Sequence, residues 1–386
     1  MELSIILPCL NEADSLAICL RKAHNFLKEN GVDGEVIVAD NGSSDESQKI
    51  AIENNALLVV ELEKGYGNAI TEGINASKGK YLIIGDADDS YDFNSLLPFL
   101  TLMREGTQLV IGNRFKGGIE KGAMPFLHKY LGNPLLSFMG RSFFNIRIGD
   151  FHCGLRGITR ESYNKLDLRT TGMEFASEMI VKSALYKLKI AETPTILYKD
   201  KRNRPSHLRT WRDGWRHLRF LLLYSPGWIF LIPGIILMIL GLTGTAILMA
   251  GPVQIGNKKL DVHTLVYTSS SILLGFQFIS FYVFSRIYAA IHGLWPGQEK
   301  FLHRFEKYFT LEKGILAGAI IFLTGIYLTL KSVSYWQKTH FGNIDPVIVL
   351  RWVIPSALLL ILGIQVIISF FYLSFLTLKS KQKRTV

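Results

Sequence analysis

Four long apolar stretches fill the last 160 residues of the chain, at roughly 227–250, 265–291, 314–331 and 350–377. Each is long enough to cross a hydrocarbon core of about 30 Å as a helix. Core helices of water-soluble domains are rarely so long and so apolar, so this half predicts an all-α transmembrane domain of four helices, residues 227–386. With both ends of a four-span domain on one side, whatever precedes it faces the same compartment as the C-terminus.

Charge says which side that is. Residues 1–198 carry a net −4, residues 199–226 a net +6 and residues 227–386 a net +9. The basic residues of the last region cluster in 292–313 and 378–386, whereas 251–264 and 332–349 hold only Lys258, Lys259 and Lys338. The positive-inside rule therefore predicts both termini and the whole soluble domain in the cytoplasm. No basic, cleavable leader opens the chain, since residues 1–8 read as a buried strand. A mildly acidic soluble half argues against nucleic-acid binding, which needs a basic face on the folded domain. Positive charge beside apolar segments fits a bilayer with anionic headgroups.

The segment 199–226 reads as a basic amphipathic neck. Arg209, Arg212, Arg216 and Arg219 share one helical face, and Trp211 and Trp215 suit the interface.

Residues 1–198 alternate short apolar runs (3–7, 35–40, 57–61, 80–85, 109–112) with amphipathic stretches (14–29, 45–54, 66–77). That rhythm predicts an α/β domain with a mostly parallel, Rossmann-like sheet. Ligands then bind at the carboxyl ends of the strands, where the polar clusters fall. Three cysteines, Cys9, Cys19 and Cys153, match neither a disulfide framework nor a zinc site.

The strongest cluster is Asp86-Ala87-Asp88, followed by Asp89. Carboxylates crowded at a strand end repel one another unless a cation sits among them. Hard oxygens suit Mg²⁺ or Mn²⁺ bridging a substrate diphosphate; the plain alternative is a solvated acidic turn. Asp40-Asn41-Gly42-Ser43-Ser44-Asp45 forms a turn into a helix and also offers Asp40 to a nucleobase NH. Asn11 and Glu12 end the first strand within reach of the same ligand. Gly65-Tyr66-Gly67 enters a helix whose N-terminal amides suit phosphate, although Ile70 replaces the last glycine of a dinucleotide fingerprint. Gly112-Asn113-Arg114 offers a guanidinium for bidentate phosphate binding. Asp150, Arg156 and Glu174 follow, the last also readable as a carboxylate favoured at a helix start.

In order, P-x-x-N-E, D-x-x-S-x-D, G-x-G-x-A, D-x-D, G-N-R, D-x-x-x-G-x-R and G-x-E-F-x-x-E resemble the family-2 glycosyltransferases of GT-A fold. Within these they are most similar to the polyprenyl-phosphate group, which includes dolichyl-phosphate mannose synthases and undecaprenyl-phosphate glucosyltransferases. The resemblance covers about residues 1–225. It implies that Pro8, Asn11, Glu12, Asp40, Gly65, Gly67 and Asp86 bind a nucleotide-sugar. Asp86 and Asp88 hold Mg²⁺ or Mn²⁺. Asp88, Arg114, Glu174 and Arg202 form the catalytic set, and Arg114, Arg202, Arg204, Ser206 and His207 meet the lipid phosphate. Two departures stand out. Asn41 replaces a second Asp found in many members, and Arg204-Pro205-Ser206-His207-Leu208 replaces Gly-x-Ser-Lys-Leu.

The implied reaction is inverting transfer of one sugar from a UDP- or GDP-sugar to a polyprenyl phosphate. Alternatives are a processive polysaccharide synthase, a glycolipid synthase or a non-catalytic scaffold. The lone Arg-Trp pair, Arg351-Trp352, lies at the outer end of the last span, away from the neck where processive synthases carry theirs. For the third and fourth spans, anchoring, homo-oligomerisation and product passage all stay open.

Overall fold

The computed structural model describes residues 1–200 and 210–382. Arg202, Arg204, Ser206 and His207 lie outside the described residues. Two compact units emerge, Met1–Ser225 and Pro226–Val386.

The first unit runs β1 (Leu3–Cys9), α1 (Leu16–Glu29), β2 (Gly34–Asp40), α2 (Ser47–Glu53), β3 (Leu57–Val60), α3 (Tyr66–Ala76) and β4 (Tyr81–Ile84). It continues with α4 (Leu97–Arg104), β5 (Leu109–Asn113), α5 (Arg114–Gly117) and α6 (Asn133–Phe144), which a wide π turn at His128–Gly132 precedes. It closes with β6 (Arg156–Thr159), α7 (Arg160–Leu166), α8 (Phe175–Leu185), β7 (Ile190–Pro194) and α9 (Thr210–Leu223). All seven β1 side chains are buried, as expected of a strand covered by helices on both faces. On α1, Leu16, Cys19, Leu20, Ala23, Phe26 and Leu27 recur every three or four residues, and all are buried. Gly73 lets α3 lie close on the sheet, because a Cβ there would stand 2.8 Å from Ile6 and 3.0 Å from Ala39.

The seven strands are ordered β3-β2-β1-β4-β6-β5-β7. Six run parallel and β6 runs antiparallel to both neighbours. Its direction follows from the route of the chain. After β5 the chain passes through α6 without recrossing the sheet, so it must re-enter at the edge where β5 ended. One edge therefore gathers the ends of β1, β2, β4 and β5 with the start of β6. The five strands expected from the apolar runs are present. The short, half-polar β6 and β7 are additions that no alternation announced.

The second unit holds α10 (Ile232–Ala250), a β8–β9 hairpin (Val253–Ile255 and Lys258–Leu260), α11 (Val262–Ile291), α12 (Glu299–Tyr308), α13 (Leu311–Gln337) and α14 (Pro346–Gln382). Four segments are long and apolar enough to cross a membrane: Gly227–Ala250, Val262–Ile291, Leu311–Gln337 and Pro346–Leu378. They pack as two glycine-lined pairs. A Cβ on Gly275 of α11 would stand 2.8 Å from the backbone of Met238 on α10. A Cβ on Gly318 of α13 would stand 2.7 Å from the Gly363 carbonyl on α14. Close backbone approach of this kind drives helix association in lipid, where the hydrophobic effect between helices is absent. The amphipathic α12 seats Leu302 and Phe305 against Ile287 and Leu373. Arg286 folds onto it, with its guanidinium 3.9 Å from the Phe301 ring centre.

Candidate active site

The strand edge places Asp40, at the end of β2, in register with Cys9 of β1, next to Pro8. Asp40 is fully buried. Its Oδ2 accepts from the Gly42 and Ser43 amides and from Gln48 Nε2 (3.2, 3.1 and 2.7 Å). Its Oδ1 is buried with no hydrogen-bond partner. A buried carboxylate oxygen left unmatched costs free energy, which is recovered when a ligand NH arrives. The neighbouring Asn11 has a left-handed backbone, φ 58°. It ties the β1 loop to the β2 loop: its amide donates to Ser43 Oγ (2.8 Å) and its Oδ1 accepts from the Ser44 amide (2.7 Å). Glu12 is buried beside it, and its amide donates to Ser47 Oγ (2.8 Å).

Asn41 explains its own departure from the family pattern. Its Nδ2 donates to the Glu61 and Glu63 carbonyls (3.2 and 2.8 Å), while its Oδ1 accepts from the Gly65 amide (2.6 Å). Only an amide side chain can give and take in this way. The Gly65–Gly67 loop is thereby fixed, and it corrects an expectation. The Gly67 amide donates to the Thr171 carbonyl (2.8 Å), so neither Gly65 nor Gly67 presents a free amide to phosphate. Glycine is required for a different reason: a Cβ at either position would run into the carbonyl oxygens of Thr171 or Thr170. Residue 65 also adopts φ 155°. The second glutamate of G-x-E-F-x-x-E, Glu178, fixes residues 169–170 in turn. Fully buried, it accepts from the Thr170 amide and hydroxyl (2.8 and 2.7 Å) and pairs with Lys182 (2.8 Å).

Beyond β4, Asp86 is held by Tyr66 at the start of α3, whose hydroxyl donates to Asp86 Oδ1 (3.0 Å). Burial, reinforced by the Asp86 charge, pushes the Tyr66 phenol well above its ordinary range and keeps it a donor. Gly154 leaves room for Asp86, since a Cβ there would strike Asp86 Oδ2. Asp88 Oδ1 accepts from the Ser90 amide and hydroxyl (3.1 and 2.5 Å). Asp89 does not join them. Its backbone is left-handed (φ 59°) and its carboxylate pairs with Lys22 of α1 (2.7 Å). The acidic cluster is thus two carboxylates, and among the described residues no group of three or more His, Cys, Asp or Glu forms a metal cage. Two oxygen-bearing side chains just past a strand end, Asp86 and Asp88, fit Mg²⁺ or Mn²⁺ completed by substrate phosphates, as Mg²⁺ sites commonly are.

Arg114 corrects a second expectation. Its Nε and Nη2 form a buried fork onto Asp150 (2.6 and 2.8 Å), whose Oδ2 also accepts the Arg114 amide (3.1 Å). The bidentate face expected to hold phosphate is engaged within the chain. Arg156 is likewise committed to backbone, donating to the carbonyls of Cys153 (2.8 Å), Phe151 (3.0 Å) and Ala176. These two guanidiniums set the field behind the acidic pair rather than gripping an anion. Glu174 stands at the N-cap position of α8 without a side-chain capping bond, with Oε2 buried and unpartnered and Gly172 making room for it. Burial pushes the thiols of Cys9 and Cys153 up to about 12 and about 11, so neither is a ready nucleophile.

Sequence reasoning missed Tyr66 and the histidine pair behind the site. The rings of His152 and His217 lie 4.6 Å apart, and His217 Nδ1 is 2.9 Å from Ser177 Oγ. Nothing in their spacing brings residues 152 and 217 together; only the packing of α9 against α6 and α8 does so.

A mostly parallel sheet with an acidic pair and a buried, half-matched carboxylate at one edge, in a chain that also carries four membrane-length helices, fits a membrane glycosyltransferase of GT-A fold. The sequence comparisons agree. Residues 4–167 match the Glycosyl transferase family 2 model, and residues 283–377 match the Glycosyltransferase family 2 C-terminal transmembrane region. The low-salt glycan biosynthesis hexosyltransferase Agl6 of Haloferax volcanii is 33% identical over 373 residues, covering 96% of this chain and 88% of the relative. The chain belongs to glycosyltransferase family 2. It is also related to a dolichyl-phosphate hexose transferase of the same organism (26% identical; 52% of this chain, 84% of the relative) and to the dolichol-phosphate mannosyltransferase of Pyrococcus furiosus (24%; 50% and 56%). Among solved structures, glucosyl-3-phosphoglycerate synthase from Mycobacterium tuberculosis aligns with a TM-score of 0.46 at 22% identity, over 58% of this chain and 80% of that one.

Proposed function

We propose that the protein transfers a single hexose from a nucleotide-sugar to a polyprenyl phosphate at the cytoplasmic face of the membrane, with inversion at the anomeric carbon. The observation that carries the reading is Asp40, a fully buried carboxylate with one oxygen unmatched, on the same strand edge as Asp86 and Asp88. A uracil or guanine NH completes Asp40, and the diphosphate of the donor then extends toward the acidic pair. Asp86 and Asp88 would hold Mg²⁺ or Mn²⁺, which when bound neutralises charge on the leaving diphosphate.

The acceptor phosphate is already anionic at pH 7, so no strong general base is needed. The task of the chain is positioning and charge compensation. Tyr66 aims Asp86, Arg114 stiffens the Asp150 loop, and Glu174 orients sugar hydroxyls through its unmatched oxygen. The basic segment from Arg202 to His207 receives the lipid phosphate. The excess of Lys and Arg in 292–313 and 378–386 puts the catalytic unit and both termini on the cytoplasmic side.

The test is nucleotide release from a panel of UDP- and GDP-sugars by purified protein in detergent, with and without a short polyprenyl phosphate, Mn²⁺ and EDTA. The expected result is one productive donor, with release that depends on the acceptor and stops with EDTA. Release indifferent to the prenyl phosphate contradicts the acceptor assignment, and release indifferent to EDTA contradicts the metal.

A further inference from the structure

One stripe of α1 braces the acidic loop that follows β4. Ser15, at the N-cap position, Cys19 and Lys22 stand at i, i+4 and i+7, which places them on one helical face. The Ser15 hydroxyl is fully buried and donates to the carbonyl of Ala87 (2.8 Å), the residue between Asp86 and Asp88. Cys19 lies beside the next part of the loop. Burial raises its thiol pKa, and the nearby charges of Asp89 and Asp88 add to the rise. Lys22 Nζ donates to Asp89 Oδ1 (2.7 Å) and lies 3.7 Å from Asp92 Oδ1.

Asp89 is the residue of this loop that most needs the brace. Its side chain is 2% exposed and its φ is 59°, a left-handed backbone that a residue with a Cβ keeps only when its surroundings hold it there. A buried carboxylate also needs a cation, and Lys22 supplies one. Burial opposes the charge on Lys22, but Asp89 and Asp92 outweigh it and hold the ammonium above its ordinary pKa, so the pair is ionised at neutral pH. Asp86, Asp88 and Asp89 put three negative charges into four residues, and pairing with Lys22 compensates one of them. Asp86 and Asp88 remain as the pair offered at the strand edge. Their backbone is tied to α1 twice, by Ser15 through Ala87 and by Lys22 through Asp89.

We propose that Lys22 is a positioning residue for the donor site. By holding Asp89 against α1 it sets the backbone of the acidic loop, and with it the placement of Asp86 and Asp88 for a divalent cation and the diphosphate of a nucleotide-sugar. Lys22 acts through Asp89 and not by touching the ligand. The assignment rests on the reading of Asp86 and Asp88 as the metal–diphosphate pair. Partners that orient metal ligands in this way commonly govern affinity as strongly as the ligands' own geometry does.

The test is Mn²⁺ binding to the full-length protein in detergent, followed by electron paramagnetic resonance with UDP or GDP present. Wild type should bind Mn²⁺ and Asp86→Ala should not. No binding by wild type, or equal binding by Asp86→Ala, removes the metal site itself and the role of Lys22 with it. Where wild type binds, Lys22→Met should weaken Mn²⁺ about tenfold and raise the donor KM in parallel, while Lys22→Arg, which keeps the charge, should stay within about threefold of wild type. Because Lys22→Met strands a buried charge, the deciding variant is Lys22→Met/Asp89→Gly. It removes that charge and puts at position 89 the residue most at ease with a positive φ. Its Mn²⁺ affinity should return to within about threefold of wild type. Wild-type affinity in Lys22→Met would overturn the proposal, because Lys22 would then only stabilise the fold. A folded double variant still about tenfold weaker than wild type would also overturn it, because Lys22 would then act on the ligand directly.

Discussion

The two units use glycine for the same purpose in opposite solvents. In the catalytic unit, Gly67 and Gly154 let loops press together around polar groups, so that Asp86 sits where a Cβ would otherwise be. In the membrane unit, Gly275, Gly318 and Gly363 let helices press backbone to backbone, with no polar side chain between them. The first arrangement concentrates unmatched polar atoms at one strand edge, where water or ligand can satisfy them. The second presents mostly apolar side chains, and hydroxyls such as those of Thr243, Ser270 and Thr324 are bonded to the backbone of their own helix.

Breaking the polar edge should have the largest effect. Asp86→Ala should lower turnover on the order of a thousandfold, while the thermal unfolding midpoint stays within a few degrees; retention of a tenth of the activity would remove Asp86 from the site. In the membrane unit, Gly318→Leu forces a side chain onto the Gly363 carbonyl, 2.7 Å from the Cβ alone. It should destabilise α13–α14 packing by more than about 2 kcal/mol, read as a lower unfolding midpoint in detergent with nucleotide binding intact. Gly67→Ala should cost about 1–3 kcal/mol and raise the donor KM, because the loop anchored by Thr170 and Thr171 must retreat.

A pH effect separates the two regions further. Burial, helped by the charge of Arg156, lowers the His217 pKa from 6.5 to about 4; Asp213 opposes this weakly and Arg216 adds to it. Burial likewise holds His152 well below its ordinary value, with His217, Arg114, Arg156 and His128 contributing. The unfolded chain takes up a proton near pH 6.5 that folded His217 refuses until about pH 4. Its contribution to stability is therefore full above pH 6.5 and falls as pH drops through that window, by about 3 kcal/mol. Denaturant unfolding of the catalytic unit should show this slope, and His217→Gln should flatten it. The smallest effect expected is that of Asn41→Asp, which forfeits the donations to Glu61 and Glu63 and should cost about 1–2 kcal/mol, seen as a modest rise in donor KM.

The sequence made parts of this legible for physical reasons. Asp40, Asp86 and Asp88 were readable because each directly follows an apolar run, and in a parallel sheet that position is the ligand edge. The four spans were readable from length and apolarity alone. The partners were not. Arg114 looked free for phosphate because Asp150, 36 residues on, reaches it only through the reversed β6. Asp89 read as one more carboxylate of the cluster, but its left-handed backbone goes with a pairing to Lys22 instead. His217 stands next to Arg216 of the basic face, yet it faces inward, to Ser177 and His152. Local pattern reports where a polar residue stands; long-range pairing decides whether it is available.

The central claim is the chemical identity of the product. Wild-type protein and Asp86→Ala, each in proteoliposomes with short polyprenyl phosphate and the productive nucleotide-sugar, should be compared by mass spectrometry of the lipid extract. The account predicts one new species, prenyl phosphate bearing a single hexose, from wild type and none from the variant. A polymer, a glycosylated diacylglycerol, or the same lipid product from Asp86→Ala would contradict it.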